Sequence, residues 1–219
     1  MVVLAMAAVS GSGFLGLFSI LDFFRPGDAR VRKDLEELKD GITDWVTELI
    51  PLRSGEDLDI FSYHQSQFSD KGRRRRRAKG VFTSIYHEPM VAWSFRAYSG
   101  EQAILFVRTA HQAFSYRFRK DRIDIAISNG FVGRLSKEGV VTDTRQKRVY
   151  GRYHQIRSKE YIPIQIGQKE VGSIIIPDDP DHPIQRAFAF LSSLTEDERN
   201  LFLALSILYM IRYKLELLD

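Results

Sequence analysis

Residues 103–135 read AILFVRTAHQAFSYRFRKDRIDIAISNGFVGRL. Four runs inside this stretch, 103–109, 113–118, 123–127 and 131–135, are rich in β-branched and aromatic residues and are cut by turn signals, the composition of short antiparallel strands. Asn129-Gly130 is the strongest of those signals, because a two-residue hairpin turn needs positive φ angles that asparagine and glycine accept most readily. Lys120-Asp121 marks a second hairpin connection. The same texture continues outward. Segments 81–86 and 90–98 precede the stretch and 148–156, 162–166 and 171–176 follow it, with Ser99-Gly100 and Gly167-Gln168 as further connections. The sequence predicts a mainly β protein with helices (α+β), a meander of about nine antiparallel strands whose spacing points to a barrel or sandwich.

The end of the chain changes period. Thr195 and Glu198 have the spacing of a capping box, and the helix they open is apolar on every side through 201–211. Charges at Glu196, Asp197, Glu198 and Arg199 before it, and at Arg212 and Lys214 after it, leave the uncharged run too short to span a bilayer. Such a helix is buried in protein, and after a β-meander it is expected to fill the barrel. Over residues 80–219 the chain resembles the tubby-like superfamily, which includes tubby C-terminal domains, phospholipid scramblases and LURP-one proteins. The resemblance rests on element order: antiparallel hairpins, then Ile162-Pro163-Ile164-Gln165-Ile166 with Lys169-Glu170-Val171-Gly172, then the closing apolar helix from Glu196. It implies a closed β-barrel around a central helix, in a family often associated with membranes or phosphoinositide headgroups.

Residues 1–21 carry no charged side chain, and the charges that follow begin with Asp22, Arg25, Asp28, Arg30, Arg32 and Lys33. About 20 apolar residues match the hydrocarbon thickness of a bilayer when helical, and a basic flank places the following domain on the cytoplasmic side. A cleaved signal peptide needs a basic segment ahead of its apolar core, and nothing basic precedes Val2. Gly11, Gly13 and Gly16 spell a G-x-G-x-x-G pattern. A dinucleotide fold would need a second apolar strand next, where this chain has the charged helical stretch 28–50. The glycines read instead as small residues that let a neighbouring helix approach, with an interfacial or protein-buried hairpin as the other option. The expected organisation is a membrane anchor at 1–24, an amphipathic heptad helix at 25–53, a polar linker at 54–79 and the barrel at 80–219.

In the second of these segments Val31, Leu35, Leu38, Ile42, Trp45 and Leu49 follow one another at spacings of 4, 3, 4, 3 and 4. That heptad seam suits a short coiled coil or a partner groove, and equally a helix packed on its own domain or lying at the bilayer surface. In the third, Lys71, Arg73, Arg74, Arg75, Arg76, Arg77 and Lys79 crowd seven cations into nine residues. A solvated loop or a contact to an acidic partner protein accounts for such a run, and an anionic leaflet also attracts it. Nucleic acid is a weaker reading, because no aromatic residue is interleaved between 69 and 79 to make a stacking platform.

The chain has no cysteine, which removes disulfides, thiolate catalysis and cysteine-ligated metal together. His64, His87, His111, His154 and His182 are scattered without metal-ligand spacing. The acidic knot Asp178, Asp179, Asp181 and His182 lies between prolines and reads as an exposed loop. No nucleophile elbow is present. The expectation is a non-enzymatic protein without cofactor or metal, single-pass in a membrane. It would serve as an interaction or accessory subunit beside other membrane subunits, oligomeric through the heptad seam. The alternatives are anionic phospholipid binding or handling, and nucleic-acid binding through the arginine run.

Overall fold

The computed structural model describes residues 29–52, 55–71, 77–98, 101–128, 130–143, 145, 147–153, 160–177, 185–215 and 217. Twelve strands form one antiparallel sheet in which every strand pairs with its neighbours in sequence. They are β1 (Phe61–Lys71), β2 (Arg77–Ser84), β3 (Pro89–Ala97), β4 (Ala103–Arg108), β5 (Ala113–Arg119) and β6 (Arg122–Ile127). They continue with β7 (Gly130–Ser136), β8 (Val140–Thr142), β9 (Val149–Tyr153), β10 (Tyr161–Ile166), β11 (Lys169–Ile175) and β12 (Phe188–Ala189). The sheet curls until its ends meet. The Ala187 N–H donates to the Phe61 carbonyl at 2.8 Å and the Tyr63 N–H to the Gln185 carbonyl at 3.3 Å, while the rings of Phe61 and Phe188 stack with centroids 5.3 Å apart. The result is a near-closed barrel.

Three of the twelve strands, β1, β8 and β12, are additions to the nine read from the sequence. β8 and β12 are three and two residues long, too short for any periodic signal. β1, FSYHQSQFSDK, lies where a polar linker was expected. It places Phe61 and Tyr63 in the core, but a register irregularity between Ser66 and Ser69 interrupts its pairing with β2, so its apolar alternation fails beyond the first residues.

The C-terminal helix α4 (Glu196–Lys214) opens on the expected capping box of Thr195 and Glu198 and buries ten residues between Leu201 and Ile211. It belongs to the same apolar cluster as inward residues of the strands, among them Phe82, Leu105, Ile125, Ile164 and Val171. Phe202 packs on Phe188 with centroids 5.0 Å apart. Two polar groups inside this core are satisfied: the Tyr116 hydroxyl donates to the Ala204 carbonyl at 2.8 Å, and Ser206 donates to the Phe202 carbonyl at 2.7 Å. Burial pushes the Tyr116 hydroxyl pKa well above its ordinary value, so it stays a donor at any physiological pH.

Three shorter helices precede the barrel: α1 (Ala29–Asp40), α2 (Thr43–Val46) and α3 (Gly55–Asp59). The continuous heptad helix expected over 25–53 is therefore broken at Gly41. Its seam packs on the chain's own domain, one of the arrangements the spacing allowed. Leu35, Leu38, Ile42 and Leu49 are buried against Val81, Ala92, Ile104, Phe106 and Ala126 on the outer face of the chain's own sheet, with Val31, Trp45 and Val46 packed beside them. The break frees the Gly41 carbonyl from the helical ladder, and Lys79 Nζ donates to it at 2.7 Å. Residues 1–24, with Gly11, Gly13 and Gly16, lie outside the described residues. Among the described residues no helix is long and apolar enough to cross a membrane.

Two turn glycines separate strain from crowding. At Gly139 φ is +80° and an added Cβ would lie 2.5 Å from the Tyr153 carbonyl oxygen, whereas at Gly167 φ is +61° and nothing lies within 4 Å. Gly167→Ala is expected to cost about 1 kcal/mol, the left-handed penalty alone. Gly139→Ala must also push β9 away, and a total of about 3 kcal/mol is expected. Urea denaturation of the two variants reads the difference, and equal costs would show that the Tyr153 carbonyl gives way freely.

Candidate functional site

In a sequential meander, alternate hairpins turn at the same end of the barrel. The row of cross-strand partners Arg77, Arg96, Ile104, Arg117, Asp124 and Arg134 crosses β2 to β7 near one such end. Beyond it lie the β1–β2 pairing that closes at Lys71 and Arg77, the β3–β4 pairing that closes at Ala97 and Ala103, and the β5–β6 pairing that closes at Arg119 and Arg122. Helix α4 ends here too: Arg212 Nη1 donates to the Tyr153 hydroxyl at 3.0 Å and Nη2 to the Leu217 carbonyl at 3.2 Å.

The first turns of α1 lie at the same end. Arg96 on β3 donates to Asp34 and, at 2.6 Å, to Glu37. Tyr98 donates to Asp34 at 2.6 Å. At the far end of the barrel the Ile50 N–H donates to the Pro89 carbonyl at 2.8 Å, so the segment from α1 to Ile50 runs antiparallel to β3. The hydrogen bond from Arg96 holds the Glu37 carboxyl below its usual pKa, and burial, then the bond to Asp34, raises the Tyr98 hydroxyl. Arg96 and Asp34 are both buried. Ion pairs desolvated in this way are costly to separate, so they pin the start of α1 to this end, with Arg30 and Lys33 exposed on it.

Between these hairpins and the end of α4 the barrel keeps an open mouth, a cavity of about 290 Å³. Phe95, Ala103, Phe118, Ile123 and Leu135 wall it with apolar side chains. Among the described lining residues Arg119, Lys120, Arg122, Lys137 and Arg212 are cationic and Glu101 is acidic. Asp124 accounts for part of this charge, with carboxylate oxygens 2.7 Å from Arg119, 3.4 Å from Arg122 and 3.5 Å from Arg134. Asp121 approaches Arg122 at 3.3 Å. With both carboxylates counted, these five cations still outnumber the acids among the described residues.

Of the seven cations singled out in the sequence, Arg73, Arg74, Arg75 and Arg76 lie outside the described residues, and for Lys71 the backbone alone is described. Lys71 and Arg77 are partners on adjacent strands, so the covalent link between them begins and ends at the cationic end. Arg77 is exposed. Lys79 is engaged within the chain: besides capping Gly41 it stands over the Trp45 ring at 4.4 Å. Near the same hairpin Phe68, 42 % exposed, lies 6.1 Å from Trp93 between ring centroids. The mouth cations were missed by sequence reading. They are spread over β5, β6, the β7–β8 turn and α4, and the parity of hairpins in a meander was the one signal that could have gathered the strand residues.

His154, His182 and the acidic knot of Asp178, Asp179 and Asp181 lie outside the described residues. His111 is exposed, and among the described residues no three acidic or histidine side chains converge as a metal site. His64 and His87 do meet, with Nδ1 atoms 3.4 Å apart and His64 Nδ1 2.9 Å from Thr83 Oγ1. Burial, then the neighbouring His87, lowers the His64 pKa from 6.5. The unfolded chain therefore takes up the proton more readily than the folded one. Stability is complete above about pH 6.5 and is lost as pH falls through that value toward the folded pKa. Thermal unfolding between about pH 7 and pH 5 should show this slope, and His64→Gln should flatten it. A slope unchanged in that variant would assign the effect to other groups.

Comparison of the chain with protein-family models, with curated proteins and with solved structures found no match. The class is therefore defined by architecture: a near-closed antiparallel barrel with a buried C-terminal helix and a cationic mouth.

Proposed function

We propose that this protein is a non-enzymatic, membrane-anchored module whose cationic barrel end docks on an anionic phospholipid surface. One observation carries the reading: the start of α1, the ends of the β1–β2 hairpin and the cationic mouth all share one end of the barrel. Residues 1–24, taken as a single membrane helix with the barrel on the cytoplasmic side, lead into α1 at Ala29. They would therefore deliver that end, and not the opposite one, to the bilayer. Basic residues there gain from the negative leaflet within a Debye length, and the exposed Phe68 ring beside the hairpin suits the interface. The seam that favoured an accessory subunit is covered by the chain's own sheet, which weakens the case for pairing through that helix. Membership of the tubby-like superfamily belongs to the same proposal, supported by a barrel built around a closing helix.

The absence of native cysteine makes single-site labelling direct. The full chain is placed in nanodiscs with a fluorophore at Asp121→Cys, in the β5–β6 turn, or at Tyr86→Cys, in the β2–β3 turn at the far end. Headgroup-nitroxide lipid should quench position 121 in discs containing phosphatidylserine and leave position 86 bright. Equal quenching in neutral and anionic discs would defeat the proposal.

A further inference from the structure

We propose that the cavity at the barrel mouth binds a small anionic amphiphile, a single apolar chain ending in an anion, with Arg212 as the anchor for the charge. The volume of about 290 Å³ stands at the lower edge of ordinary ligand pockets, which suits a short chain. Its apolar walls are inward-facing members of the main core: Phe95, Ala103, Ile123 and Leu135 are nearly inaccessible. Helix α4 ends before filling the space between them, and the chain turns back so that the Leu217 N–H donates to the Arg212 carbonyl at 2.8 Å. A hydrocarbon chain entering the mouth would cover the half-buried Phe118 and displace water from the apolar surface still open there.

The aromatic geometry narrows the ligand. Phe95 and Phe118 meet edge to face, centroids 5.9 Å apart and planes at 86°, so they form no parallel slot for a flat ring or base. An aliphatic chain fits such walls. The charge is fixed by the rim. Arg212 is held by the Tyr153 hydroxyl and the Leu217 carbonyl. Among the described residues those contacts engage two of the guanidinium's five N–H donors, which orients the group and leaves up to three that a carboxylate or phosphate could accept from. Lys120 and Lys137 come from two different hairpins on the same rim.

This inference stands apart from surface docking, and its test uses neutral lipid throughout, so that either can fail alone. The full chain in phosphatidylcholine nanodiscs is titrated calorimetrically with octanoate, against empty discs. Saturable binding is expected, with octyl phosphate binding comparably and octanol at least tenfold more weakly, about what a charged hydrogen bond contributes. Octyl phosphate in place of octanoate tells whether the site prefers the head of a phospholipid or of a free fatty acid. Ala103→Phe fills the cavity and should abolish binding. Because an enlarged core residue can unfold a barrel, the surface double variant Lys120→Gln/Lys137→Gln and the variant Arg212→Gln are the deciding measurements, each expected to weaken octanoate about tenfold. No saturable heat up to about 5 mM, a range that spans weak millimolar affinity, would overturn the proposal. So would octanol binding as well as octanoate, or affinity unchanged in both charge variants.

Discussion

Full-length protein in which Arg73, Arg74, Arg75, Arg76 and Arg77 are all glutamine is expected to lose headgroup quenching at position 121 in phosphatidylserine discs while still inserting in the bilayer. Each basic residue near an anionic leaflet contributes about 1 kcal/mol, so five removed charges cost up to about 5 kcal/mol. That is a change of more than a thousandfold in the docked population, large enough that cooperation from the mouth cations cannot mask it. Of the flanks of this run, Lys71 and Arg77 are paired across β1 and β2 at the cationic end. The same physics makes the wild type salt-sensitive, because the Debye length shortens from about 8 Å to about 3 Å at 1 M ionic strength. Persistent quenching in the glutamine variant, or indifference of the wild type to salt, would refute electrostatic docking.

Phe202→Ala should destabilise the whole domain by about 3–5 kcal/mol, the cost of deleting a buried ring and leaving its cavity. The ring is fully buried and lies against Phe188 on β12, the strand that completes the sheet next to the bridge with β1. An added Cβ at Gly172 would stand only 3.2 Å from this ring, so the surroundings are packed tightly and cannot collapse far. The expected loss is a large part of the about 5–15 kcal/mol that holds a typical domain. Phe190, 71 % exposed, is the control: Phe190→Ala loses an edge contact with Tyr161 and should cost no more than about 1.5 kcal/mol. Equal urea midpoints for the two variants would mean that α4 is not the centre of the fold.

Much of the barrel was legible because its strands are local objects. The runs 103–109, 113–118 and 123–127 became β4, β5 and β6 with only terminal residues changed, and the Lys120-Asp121 and Gly167-Gln168 turns fall between paired strands. The capping box of Thr195 and Glu198 was legible for the same reason, since both its hydrogen bonds close within one turn. β1 was not legible: His64, Gln65 and Ser66 break its alternation, and what holds it is pairing with β2 on one side and the meeting with residues 185–187 on the other. The heptad seam was seen, with its own domain as one of two equal destinations, and the spacing could not choose between them. An apolar stripe of Leu35, Leu38, Ile42 and Leu49 carries the same signal whether a second helix or the outside of a sheet covers it.

The amino-acid sequence by itself determined the alternation of strands and turns, the buried character of the last helix and the density of positive charge before β2, because each depends on neighbours a few residues apart. The tertiary structure alone decided that Arg212, Lys120 and Lys137 share one rim, that Lys79 serves Gly41 instead of the arginine run, and that α1 begins at the cationic end. Those facts depend on closure of a twelve-stranded sheet, which brings together residues far apart in the chain, and no short-range pattern encodes which of them will meet.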